Sequence, residues 1–81
     1  MVNKRYTVVA TDKVRKIMLK LPHLVAAKIE TSLLELEENP RPAGCKKLKG
    51  RSGYRIRVGD YRVIYEIGIF LSKTIAIKIF Y

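Results

Sequence analysis

The sequence predicts a single α+β domain, with two N-terminal antiparallel helices packed on a mainly antiparallel β-sheet. Three observations carry this: an opening segment that alternates in period two, two amphipathic segments of helical period divided by a proline, and a return to period two from residue 54 onward. At 81 residues the chain forms one domain, residues 1–81, because autonomous domains run from about 50 to 250 residues. A domain this small buries only about 60% of its unfolded surface, so a partner that binds the native state alone would add useful stability.

Lys4 to Ala10 places Tyr6, Val8 and Ala10 on one side and Arg5, Thr7 and Val9 on the other, the period of a half-buried strand. Thr11-Asp12 then supplies N-cap chemistry, and Val14, Ile17, Met18 and Leu21 recur at helical spacing while Lys13, Arg15, Lys16 and Lys20 point elsewhere. Pro22 ends this helix and suits the first turn of the next. The second helix is predicted from Pro22 to Glu38, with Val25, Ile29, Leu33 and Leu36 as its apolar stripe and Asn39-Pro40-Arg41-Pro42 as its stop. Glu30, Glu35, Glu37 and Glu38 are read as a solvated helix face, not as a metal or active site. Two further strands, Tyr54 to Val58 and Tyr61 to Ile67, flank Gly59-Asp60, a two-residue connection suited to a tight hairpin. A last strand over Thr74 to Tyr81 alternates Ile75, Ile77 and Ile79 against Ala76, Lys78 and Phe80.

Seventeen Lys and Arg stand against seven Asp and Glu, a net charge of +10, which favours a polyanionic partner. The excess is local: Lys46, Lys47, Lys49, Arg51, Arg55, Arg57 and Arg62 crowd one stretch in which Asp60 is the only acid. Other classes fall away. Cys45 is the sole cysteine and closes no internal disulfide, no Cys/His cluster has zinc spacing, and no glycine-rich nucleotide motif points to a cofactor. The apolar stretch Val63 to Leu71 is interrupted by Glu66 and falls far short of the roughly 20 residues of a membrane span. The opening residues lead into a strand pattern instead of a secretory apolar core, so the cytoplasm is the expected compartment.

With Gly59-Asp60 as the turn, Val58 faces Tyr61, Ile56 faces Val63, Arg57 faces Arg62 and Arg55 faces Ile64. Ile56, Val58, Tyr61 and Val63 then turn to the core, and Arg55, Arg57 and Arg62 share the opposite face. Like charges directly across a sheet repel, so an anion is expected to offset the cost. Guanidinium is permanently charged and grips phosphate oxygens through paired hydrogen bonds. The glycine-containing run from Gly44 to Gly53 reads as a flexible basic approach loop whose Lys46, Lys47, Lys49 and Arg51 are candidates to draw a nucleic acid toward the arginines. Arginine cannot act as an ordinary acid or base. Proton transfer is therefore left open among Lys46, Lys47, Lys49, Tyr54, Tyr65 and Tyr81, while His23 and Cys45 are assigned surface and packing roles.

The two helices, Asn39-Pro40, Lys47-Leu48-Lys49-Gly50 and the run from Tyr54 to Tyr65 together resemble the RelE/ParE toxin superfamily over nearly the whole chain. The hairpin is similar to the RelE branch, whose members cleave mRNA in the ribosomal A site, more than to the ParE branch, whose members inhibit DNA gyrase. The resemblance implies a type II toxin with an antitoxin protein partner, acting on ribosome and mRNA without a metal or small-molecule cofactor. It implies catalytic roles for Arg55 and Arg57 at basic positions of the family, and for Arg62 on the scissile phosphate. Lys78-Ile79-Phe80-Tyr81 lacks the Gly-His-Arg or Gly-Lys-Arg segment and downstream tyrosine common in RelE-like chains. A catalytically weak homologue that keeps antitoxin binding, and a ParE-like gyrase inhibitor, are therefore the alternatives.

Overall fold

The structure is a computed structural model and describes residues 6–68 and 73–81. Its elements follow in the order β1 (Thr7–Val9), α1 (Asp12–Lys20), α2 (His23–Glu38), β2 (Lys46–Lys47), β3 (Tyr54–Val58), β4 (Tyr61–Ile67) and β5 (Thr74–Phe80). The predicted strand residues Lys4 and Arg5, and residues 69–71 of the apolar stretch, lie outside the described residues.

The helices start and stop for the local reasons the sequence contains. Thr11 Oγ1 accepts from the Val14 amide at 3.3 Å, with Asp12 in the first turn of α1 and Lys20 in the last, as the helix dipole favours. Pro22 is the N-cap of α2, and its carbonyl accepts from the Ala26 amide at 2.9 Å. At the far end the Asn39 side chain accepts from the Arg41 amide at 3.1 Å, turning the chain out of the helix.

The five strands form one sheet in the order β1-β5-β4-β3-β2, antiparallel except for the β1–β5 pair. Alternation along β3, β4 and β5 sends Val58, Val63, Tyr65, Ile75, Ile77 and Ile79 into a core closed by Val14 of α1 and by Ile29 and Leu36 of α2. Ile56 and Tyr61 are half-buried and pack against that core. The architecture is the predicted one, with both helices on a single face of the sheet, so the other face is free to carry charge.

Two expectations need correction. Glu37 does not belong to the solvated acidic face: it is half-buried, its Oε2 accepts from the Val8 amide at 2.9 Å, and its carbonyl accepts from the Tyr6 amide at 2.7 Å. The last turn of α2 thereby holds the outer edge of β1. The approach loop is also more ordered than expected, because Lys46 and Lys47 pair with Arg55 and Tyr54 as a fifth strand. The turn behind them is closed by the Leu48 amide donating to the Gly53 carbonyl at 3.0 Å.

Candidate nucleic-acid interface

The β3–β4 hairpin has the register read from its sequence, with Val58 opposite Tyr61, Arg57 opposite Arg62, Ile56 opposite Val63 and Arg55 opposite Ile64. Gly59, the first central residue of the turn, has φ +60° while Asp60 keeps a negative φ, the pattern of a type II′ turn whose twist matches the strands it joins. Directly opposed residues have Cα atoms about 4.5–5.5 Å apart, so Arg57 and Arg62 rise side by side from the sheet.

Neighbouring strands extend the basic face. One row runs Lys46, Arg55, Ile64, Lys78 across β2, β3, β4 and β5, and the next runs Arg57, Arg62, Phe80. All five of these cationic side chains are exposed. Lys46, Arg55, Arg57 and Arg62 line a concave surface of about 680 Å³ together with Asp60 and Tyr81. Arg57 is steadied by its Nε donating to the Gly59 carbonyl at 3.2 Å. Tyr81 packs edge-on against Tyr61, with ring centroids 5.0 Å apart and planes at 71°.

Not every basic residue of the run converges here. Lys47 is paired with Tyr54, so its side chain belongs to the opposite face of the sheet from Lys46. Lys49 and Arg51 are exposed in the turn between β2 and β3 and do not line the concavity. Asp60 and Lys78 are the members of this face that the sequence did not mark as site residues, while Tyr81 was among the open proton carriers. The alternation of β5 separates Lys78 from the isoleucines, but its register against β4 has no short turn to fix it.

The tyrosines left open as proton carriers now separate. Tyr65 is buried in the core and its hydroxyl donates to the Pro40 carbonyl at 2.7 Å. Burial, reinforced by a contact with Cys45, pushes its ionisation well above the ordinary tyrosine range, so it takes no part in chemistry on the opposite face. Tyr54 stacks on Tyr65 at 5.8 Å, and its hydroxyl accepts from Arg41 Nε at 3.0 Å. Tyr81 alone of the three is at the basic concavity. His23 is exposed at the start of α2, and Cys45 is a half-buried free thiol. Among the described residues no group of His, Cys, Asp and Glu side chains is arranged to hold a metal ion, and no helix is long and apolar enough to cross a membrane.

Fold and site together define a small basic α+β domain whose cations gather on the sheet face that the helices leave uncovered. Residues 5–80 match the family model described as the ParE toxin of type II toxin–antitoxin systems, parDE, and the chain belongs to this family within the RelE/ParE superfamily. Among solved structures it is similar to a chain of the archaeal RelE–RelB complex from Pyrococcus horikoshii OT3, with 30% identity, TM-score 0.77, and 93% of this chain and 92% of that chain covered. The RelBE2 toxin–antitoxin complex from Mycobacterium tuberculosis gives 26% identity, TM-score 0.77, and coverage of 95% and 91%. The intact RelBE toxin–antitoxin complex of E. coli gives 26% identity, TM-score 0.72, and 89% of each chain. No curated protein sequence matches significantly. The family description carries the ParE name and the structural relatives the RelE name, two branches of the one superfamily.

Proposed function

We propose that this toxin is a ribosome-dependent mRNA endonuclease that inhibits translation in the cytoplasm and is held in check by an antitoxin protein. The observation that carries the reading is the convergence of Arg55, Arg57, Arg62 and Lys46 in one concavity, where no carboxylate forms an ion pair with them among the described residues. Cleavage through the neighbouring ribose 2′-hydroxyl forms a bond from O2′ to phosphorus as the hydroxyl proton passes to water, breaks the bond to O5′, which takes up a proton, and builds negative charge on the phosphorane oxygens. Fixed guanidinium donors are suited to that charge. Arg57 and Arg62, side by side across the hairpin, bracket the phosphate, Arg55 extends the grip along the strand, and Lys46 steadies the adjoining backbone. Within the concavity Lys46 and Tyr81 are the cation and the phenol with protons to donate to the leaving oxygen. Lys47, Lys49 and Arg51 lie outside it and serve the longer-range attraction of ribosomal RNA. Three of the solved relatives are RelE–RelB or RelBE toxin–antitoxin complexes, which supports an antitoxin partner for this chain.

One observation favours a second reading. The family description names ParE, and gyrase inhibition would need a protein-binding surface with no nuclease chemistry. Induced expression followed by primer extension on an mRNA, with and without a block in translation, separates the two. Cuts confined to translated message support the endonuclease; intact mRNA with broken chromosomal DNA supports gyrase poisoning. In the same assay Arg62→Ala should stay folded and lose roughly a hundredfold to a thousandfold in cleavage, as removal of a preorganised donor does. Lys28→Ala on α2 should behave as the parent. Full cleavage by Arg62→Ala would remove the phosphate role.

A further inference from the structure

We infer that Asp60 and Tyr81 form a base-reading corner of the basic concavity, selective for guanine in single-stranded RNA. The inference rests on the phosphate-binding reading above and adds a specificity to it. Its starting point is a misfit: Asp60 is a carboxylate lining a surface otherwise suited to phosphate, and it repels the same backbone that Arg55, Arg57, Arg62 and Lys46 attract. An ion pair does not account for the residue, since Asp60 forms none with those cations among the described residues. The turn admits aspartate after Gly59 but admits asparagine or serine equally, so the turn does not require a negative charge here.

An ionised carboxylate only accepts hydrogen bonds, through two oxygens side by side. Among the RNA bases, guanine alone presents two adjacent donors, N1–H and the N2 amine, on its Watson–Crick edge. Adenine and cytosine set one amine beside a ring nitrogen lone pair, and uracil sets one N–H between two carbonyls. Guanine therefore pairs with Asp60 through two parallel charge-assisted bonds, whereas each other base places an acceptor against a carboxylate oxygen. Tyr81 completes the corner. Its ring is braced edge-on by Tyr61 while the residue as a whole is 78% exposed, so an unstacked base can reach it. The arginines hold the backbone in register, and Asp60 and Tyr81 read the base, the usual division between positioning and specifying contacts.

The test measures fluorescence anisotropy of the purified chain with labelled uridine hexamers carrying one central guanine, inosine, adenine or cytosine. Guanine should bind tighter than adenine, cytosine or all-uridine by on the order of tenfold to a hundredfold, with inosine between, since it keeps N1–H and lacks the amine. Asp60→Asn should abolish the guanine advantage while raising affinity for the other oligomers, because it deletes a charge that repels phosphate. Damage to the fold would lower every affinity together and cannot produce that crossing. Tyr81→Ala should weaken all five oligomers by roughly fivefold or more. Salt-dependent binding with equal affinity for all bases, or a guanine preference that survives in Asp60→Asn, overturns this inference and leaves the phosphate reading standing. Absence of salt-dependent binding also overturns this inference, while the phosphate reading stands or falls by Arg62→Ala in the primer-extension assay on translated message.

Discussion

Replacing Tyr65 with Phe deletes one oxygen from a ring that is 1% exposed, and with it the 2.7 Å bond from the hydroxyl to the Pro40 carbonyl. The ring and its stacking on Tyr54 are kept, so the substitution isolates that bond. Pro40 is buried and its carbonyl would lose its partner, a cost of about 1–3 kcal/mol. For a domain of this size each kcal/mol moves Tm by about 4–8 °C, so the variant should melt at least about 4 °C below the parent at neutral pH. The pH dependence follows from the burial of the hydroxyl. In the unfolded chain Tyr65 ionises near 10, whereas the folded chain holds the proton to higher pH. Its contribution is therefore complete below pH 10 and declines as pH rises from there, because the unfolded state then releases a proton that the folded state retains. The phenylalanine variant has nothing to ionise at this position. The stability gap between the two proteins should be constant from pH 7 to about 10 and narrow above it, as measured by urea denaturation of both at each pH. A gap of under about 2 °C in Tm at neutral pH, or one that widens in alkali, would refute the role given to the hydroxyl.

Glu37→Ala removes a carboxylate bound to the Val8 amide and should destabilise the domain by about 1.5–3 kcal/mol, with the fastest gain in amide exchange at Val8; unchanged protection at Val8 would count against it. Gly53→Ala should cost about 1–3 kcal/mol in chemical denaturation, because φ is +119° and a Cβ there would sit 3.0 Å from the Tyr65 carbonyl. Gly44→Ala, with open space around the added methyl and no left-handed φ, should be neutral or stabilising by about 0.4–1 kcal/mol, and equal losses at the two glycines would contradict this account.

The hairpin was legible because a two-residue turn leaves one register, and that register alone places Arg55, Arg57 and Arg62 on the same face. The caps of α1 were legible for a similar reason, since Thr11 acts on an amide three residues away. What escaped the sequence depends on distant partners. Lys46-Lys47 has no apolar alternation to announce a strand and becomes one only because β3 offers an edge. Glu37 carries the same charge as its solvated neighbours and differs only in lying against β1, 29 residues earlier in the chain. Tyr65 is the instructive case: it is two residues beyond Val63 on the same strand, so parity already turned it inward and away from the arginines. Asp60 was noticed as a lone acid, but that it lines the same concavity as Tyr81 needed the pairing of β4 with β5.

The clasp of Glu37 on β1 also bears on self-association. The outward amides of Tyr6 and Val8 are both occupied, so over the described residues that margin of the sheet offers little to an incoming strand. The opposite margin, β2, is two residues long and carries two lysines. Growth of a fibre by edge addition requires each molecule to be joined on both sides, whereas one usable side ends the process at a pair. A chain built this way, over the described residues, leaves no long uncharged margin on which copies of itself could add.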